Sequence, residues 1–151
     1  MVVYGEDRTN KVSLEMMINH GKAVRKGVKK SMLVIDMPKS TYESSPSLAL
    51  KNAKKIKKIT KCDAIKLEGG AKISKVIKLL VKNKIPVMSH IGLQPQKISS
   101  KKKFKVLGRL YEEEKKIIKD LKSIESAGSF SVVLESVTES LANKINKISK
   151  I

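Results

Sequence analysis

The sequence is poor in several residue types, and each shortage excludes a class of function. Its one cysteine, Cys62, rules out a disulfide framework and fits a reducing compartment. Tryptophan is absent and aromatic residues make up 3% of the chain, so stacking platforms for single-stranded nucleic acid are scarce. Of the 33 basic residues only Arg8, Arg25 and Arg109 are arginine. That is a poor balance for the bidentate contacts that read phosphates and guanine edges. No apolar run approaches the ~20 residues of a spanning helix. The opening MVVYGEDRTN lacks the basic and apolar regions of a secretory leader. A cytoplasmic protein with no membrane partner is the expectation. No Gly-x-Gly-x-x-Gly or Walker pattern occurs, so neither a dinucleotide nor a nucleoside triphosphate is indicated.

What is abundant is positive charge, a formal +19 over 151 residues. The lysines are spread along the chain. Those between Ala49 and Ile59 fall opposite Ala49, Ala53, Ile56 and Ile59, as on the solvated face of an amphipathic helix. We therefore expect no specific nucleic-acid partner, only salt-sensitive adhesion to polyanions.

Short apolar runs alternate with helical patterns. Strands are expected at Ser31–Asp36, Asp63–Glu68, Ile85–Ile91 and Ser131–Glu135. Helices are expected at Leu14–Lys26, from a Ser45 cap and Pro46 to about Ile59, at Ile73–Lys82, Tyr111–Ala127 and Thr138–Ser149. Gln94–Lys105 reads as a loop or a mobile lid. Four strand–helix units in this alternation imply one α/β domain over residues 1–151, with a parallel sheet and right-handed crossovers.

The strand ends carry the functional signal. Asp36, Lys66 with Glu68, His90 and Glu135 each close one of the four apolar runs. In parallel α/β sheets chemistry sits at the carboxyl ends of strands. Lys66 and Glu68, two apart, point to one face. Each residue alone has a plainer reading: a turn aspartate, a satisfied core histidine, a glutamate capping the next helix. Four neighbouring strands ending this way are better explained together, by a site.

Asp36 and Glu68 are hard oxygen ligands suited to Mg2+. Lys66 can hold a substrate carboxylate or a developing negative charge, and Glu135 or His90 can act as base. A divalent ion polarising a carbonyl beside a carboxylate base is the equipment for enolisation and carbon–carbon bond formation. Spacing alone leaves aldolases, lyases and decarboxylases open.

Six segments carry a resemblance: HGKAVRKG (His20–Gly27), LVIDMP (Leu33–Pro38), IKLEGG (Ile65–Gly70), HIGLQPQ (His90–Gln96), FKVLGR (Phe104–Arg109) and VVLES (Val132–Ser136). In this order and spacing they resemble the ketopantoate hydroxymethyltransferase family. The resemblance implies a (β/α)8 TIM-type barrel in a homo-oligomer, with about four of the eight strand–helix units in this sequence. It implies transfer of a hydroxymethyl group from 5,10-methylenetetrahydrofolate to 3-methyl-2-oxobutanoate, giving ketopantoate, the first step of pantothenate synthesis, through an enolate stabilised by Mg2+. Carried over by position, Asp36 would bind Mg2+ and the keto acid, and Lys66 the substrate. Glu68 would be the second acidic group at the metal, His90 the active-site histidine, and Glu135 the acceptor of the C3 proton.

Three departures from the family pattern stand out. The Gly-Asp-Ser strand end, whose aspartate is a primary Mg2+ ligand, has no counterpart in these 151 residues. Position 94 is Gln where the family usually has Thr, and Lys39-Ser40-Thr41 replaces a more apolar stretch. The expectation is therefore the central part of a barrel, with both closing ends outside this sequence and two open sheet edges. The competing reading is an inactive barrel fragment that binds polyanions through its lysines.

Overall fold

A computed structural model describes residues 5, 9–98 and 105–151. Helix α1, Leu14–Gly27, starts where the Ser13 hydroxyl accepts from the Met16 amide at 3.2 Å. Strand β1 is Val34–Asp36. Helix α2, Pro46–Thr60, opens on Ser45, whose hydroxyl accepts from the Leu48 amide, with Pro46 where no N–H is needed. Next come β2 (Ala64–Glu68), α3 (Ser74–Lys82), β3 (Val87–Gly92), α4 (Tyr111–Ser126), β4 (Ser131–Glu135) and α5 (Glu139–Ile148). Thr138 caps α5 by accepting from the Leu141 amide. Single 3-10 turns at Ala71–Ile73 and Pro95–Lys97 follow β2 and β3.

The four strands form one parallel sheet in the order β1-β2-β3-β4. Alternation with helices in this order is that of a partial (β/α)8 barrel. The register pairs Asp36 with Lys66, Glu68 with His90, and Gly92 with Glu135. Period-two alternation then gives the sheet two unlike faces. Ile35, Ile65, Leu67, Val87 and Ile91 pack into the core with Ala49, Ala53 and Ile56 of α2, Val76, Ile77 and Leu80 of α3, and Ile117, Leu121 and Ile124 of α4. The opposite face carries Asp36, Lys66, Glu68, His90 and Glu135.

Expected and observed elements coincide except at the edges. The Ser31–Asp36 run pairs as a strand only from Val34, because Leu33 is held by the Asp63 side chain, whose Oδ2 accepts from the Leu33 amide at 2.7 Å. The third strand starts at Val87, after Pro86, which has no N–H to give a ladder. Ile59 is 41% exposed rather than inward, and Thr60 takes the inward place, its hydroxyl donating to the Ile56 carbonyl. Val24, near helical spacing with Leu14, Met17 and Ile18 in α1, is also exposed, whereas Ile18 and Gly21 are the buried residues of that helix. The part of the Gln94–Lys105 loop or lid that spans 99–104 lies outside the described residues. Its start is the 3-10 turn Pro95–Lys97.

Candidate active site

Each of the five strand-end residues reaches the same face at the same end of the sheet. Lys66 Nζ lies 2.5 Å from Asp36 Oδ2 and 3.5 Å from His90 Nδ1. On the other side of the imidazole, His90 Nε2 is 3.3 Å from Glu135 Oε2. Glu68 Oε1 lies 3.9 Å from His90 Nδ1. An ammonium can only donate, so the Lys66 contact makes Nδ1 the acceptor and leaves the proton of a neutral imidazole on Nε2, facing Glu135. Lys66 and His90 thus lie between Asp36 on β1 and Glu135 on β4, with His90 Nε2 close to Glu135 but without a hydrogen-bond partner.

Burial sets the protonation states. His90 is 2% exposed. Loss of water, and then the neighbouring Lys66 charge, bring its pKa down from 6.5 to about 4, so it is neutral at pH 7. The close His90–carboxylate contacts are therefore not ion pairs. Glu68 is pushed up from 4.5 to about 7, chiefly by desolvation and against the amide of Gln96, which donates to its Oε2 at 3.1 Å. Asp36 is raised as well, because burial outweighs the hydrogen bond and charge of Lys66. Glu135 and Asp36, with 37% and 35% of their side chains exposed, are the carboxylates a small molecule can reach, whereas Glu68 is closed off.

Three further residues shape this end of the sheet. The fully buried Tyr42 hydroxyl donates to the Glu68 carbonyl at 2.9 Å and accepts from the Glu68 amide at 3.2 Å. Gln96, also buried, donates through Nε2 to the Met37 carbonyl at 3.1 Å. Gly92 has φ +85, and a Cβ there would lie 2.4 Å from the Glu135 carbonyl oxygen. Tyr42 stands in a polar stretch whose sequence signals only a loop. Gln96 and Gly92 sit in or just beyond the third apolar run with nothing to mark their contacts.

A family model described as ketopantoate hydroxymethyltransferase matches residues 1–151, the whole of the chain. The chain belongs to the ketopantoate hydroxymethyltransferase family. Among relatives in that family, a 3-methyl-2-oxobutanoate hydroxymethyltransferase of Pelagibacter ubique is 55% identical over 150 residues, which cover 99% of this chain and 57% of the relative. One of the same name from Bartonella bacilliformis is 48% identical over 147 residues, covering 97% and 54%. Another from Ruegeria sp. is 47% identical, covering 98% and 52%. The chain spans about half the length of the curated relatives it matches.

The divalent cation that the ketopantoate hydroxymethyltransferase resemblance implies can be tested against these residues. Among the described residues no group of three or more His, Cys, Asp or Glu is arranged to hold a metal ion. Two of the implied acidic ligands are nevertheless in place. Asp36 Oδ1 is buried with no hydrogen-bond partner, and Glu68 extends from the adjacent strand on the same face. An orphaned carboxylate oxygen beside a second carboxylate fits a hard cation as a partial donor set. A cavity of about 740 Å³ lies elsewhere. It runs between α3 and α4 on the outer side, lined by Lys75, Lys78, Lys115, Lys119 and Lys122, and contains none of the strand-end residues. No helix among the described residues is long and apolar enough to cross a membrane.

Proposed function

We propose that the chain carries the proton-abstraction centre of a hydroxymethyl transfer from 5,10-methylenetetrahydrofolate to 3-methyl-2-oxobutanoate, giving ketopantoate (2-dehydropantoate). The observation behind it is the convergence of Asp36, Lys66, Glu68, His90 and Glu135 on one face at the carboxyl ends of four adjacent strands. Family membership supplies the substrate class.

Glu135 is the base. Of the two more exposed carboxylates of the set, Asp36 is paired with Lys66, whereas Glu135 has no lysine partner and lies with its Oε2 3.3 Å from Nε2 of neutral His90. Glu135 takes the C3 proton of the keto acid. The carbon so activated forms the new bond to the one-carbon unit, water supplies the hydroxyl oxygen, and tetrahydrofolate leaves. Lys66 offers a fixed positive charge to the substrate carboxylate or to the oxygen on which negative charge develops. Its own ion pair with Asp36 holds it there without a rearrangement during the reaction. Asp36 and Glu68 would hold Mg2+, which when bound supplies positive charge against the enolate oxygen. The family's oligomeric state and cytoplasmic location are carried as parts of the same proposal.

The test is formation of ketopantoate from the two substrates with Mg2+ present, followed by mass spectrometry. Product that appears with the wild-type chain and disappears in Lys66→Met supports the assignment. Product made equally by both removes Lys66 from the site.

A further inference from the structure

Asp36 and Glu68 sit on different strands, so their separation is not fixed by either strand alone. Two residues outside the strands bridge the gap. Tyr42, in the loop after β1, has its hydroxyl inserted at the end of β2, giving one hydrogen bond to the Glu68 carbonyl and taking one from the Glu68 amide. Both hydrogen-bonding capacities of that hydroxyl are used on a single residue, at a position with no exposure to water. Gln96, in the 3-10 turn after β3, makes the second bridge. Its amide donates to Glu68 Oε2, and its Nε2 donates to the carbonyl of Met37, the residue next to Asp36. One residue therefore touches the Glu68 carboxylate and the backbone that carries Asp36.

These contacts have a direction. The Gln96 amide occupies Oε2 of Glu68 and leaves Oε1, the oxygen nearer His90, without a hydrogen bond to the backbone. Asp36 Oδ1, buried without a hydrogen-bond partner, and Glu68 Oε1, 3.9 Å from His90 Nδ1, are the oxygens offered to a ligand. Outer residues that fix the orientation of ligating carboxylates change metal affinity by about 10- to 100-fold when removed.

We propose that Tyr42 and Gln96 are positioning residues that set the spacing and orientation of the Asp36–Glu68 carboxylate pair for a divalent cation. The proposal rests on the assignment of Asp36 and Glu68 to the metal given above. Neither Tyr42 nor Gln96 touches the cation or the substrate. They act through Glu68 and through the β1 end.

The experiment is Mn2+ titration of the purified chain, read by electron paramagnetic resonance of free and bound ion, with the folded fraction of every variant measured by circular dichroism. Tyr42→Phe removes only the hydroxyl, and Gln96→Met removes the Met37 bridge while keeping the amide that meets Glu68. Each variant is expected to raise the Mn2+ Kd about 10- to 100-fold in the folded fraction. The double variant is expected to lose less than the product of the two, since both act on one pair. A merely structural role would lower thermal stability and leave the Kd of the folded fraction unchanged. A Kd within threefold of wild type in both folded single variants overturns the proposal. Asp36→Asn separates the two claims: a wild-type Kd that this substitution leaves unmoved overturns the metal assignment itself, and the proposal with it.

Discussion

Replacing Glu68 with Gln is expected to stabilise the metal-free chain at high pH and to leave it nearly unchanged at low pH. The carboxyl is 3% exposed, and burial is the main cause of its rise from 4.5 to about 7. A displacement of that size is worth about 3 kcal/mol against the ionised form. The sign follows from which state holds the proton. Below pH 4.5 Glu68 is neutral both folded and unfolded, and it costs nothing. As pH rises from 4.5 through about 7 the unfolded chain releases the proton first, so folded stability falls. Above pH 7 the full penalty is present. Gln cannot ionise, and its side-chain oxygen can still accept from the Gln96 amide.

The predicted gain in unfolding free energy for Glu68→Gln is therefore about 2–3 kcal/mol at pH 8 and close to zero at pH 4.5. Urea unfolding followed by circular dichroism in the presence of a chelator measures it. His90 works in the opposite sense. Its folded value of about 4 lies below the ordinary 6.5, so its contribution is complete above pH 6.5 and is lost as pH falls towards 4. That slope is common to both proteins and cancels in the difference. A Glu68→Gln difference that is the same at pH 4.5 and pH 8, or that grows as pH falls, would refute the reasoning.

Two further substitutions probe the frame. Gly92→Ala should cost about 1–3 kcal/mol, because the residue holds φ +85 and the new methyl would meet the Glu135 carbonyl at 2.4 Å; chemical denaturation checks this, and a neutral result would show that the turn after β3 can relax. Leu80→Ala, at a position with no exposed surface behind the sheet, should cost about 2–5 kcal/mol while leaving the strand-end residues in place.

The five strand-end residues were legible in the sequence because two periodicities were clear. Apolar runs such as AIKLE placed the strands, and the two-residue alternation put Lys66 and Glu68 on one face before any partner was known. The Ser45–Pro46 start was legible because it is local hydrogen-bond chemistry, whereas Thr138, read as the first residue of the last helix, is its cap. What escaped was tertiary. The orientation of His90 between Lys66 and Glu135 depends on the register of β2, β3 and β4, which no single segment encodes. Tyr42 lies among Lys39–Ser45, a stretch that signals only a polar loop, and its burial follows from a partner 26 residues away. Ile59 and Thr60 show the limit of helical spacing: both suit the inward face of α2, and the hydrogen bond from Thr60 to the Ile56 carbonyl lets the polar one take it.

The central claim is that Glu135 removes the C3 proton of 3-methyl-2-oxobutanoate at this strand-end site. The most direct measurement is solvent exchange of that proton, followed by proton NMR in deuterium oxide with Mg2+ and without folate. Catalysed loss of the C3 signal by the wild-type chain, reduced at least about a hundredfold in Glu135→Gln, is the predicted result. Exchange that proceeds at the wild-type rate in Glu135→Gln would contradict it.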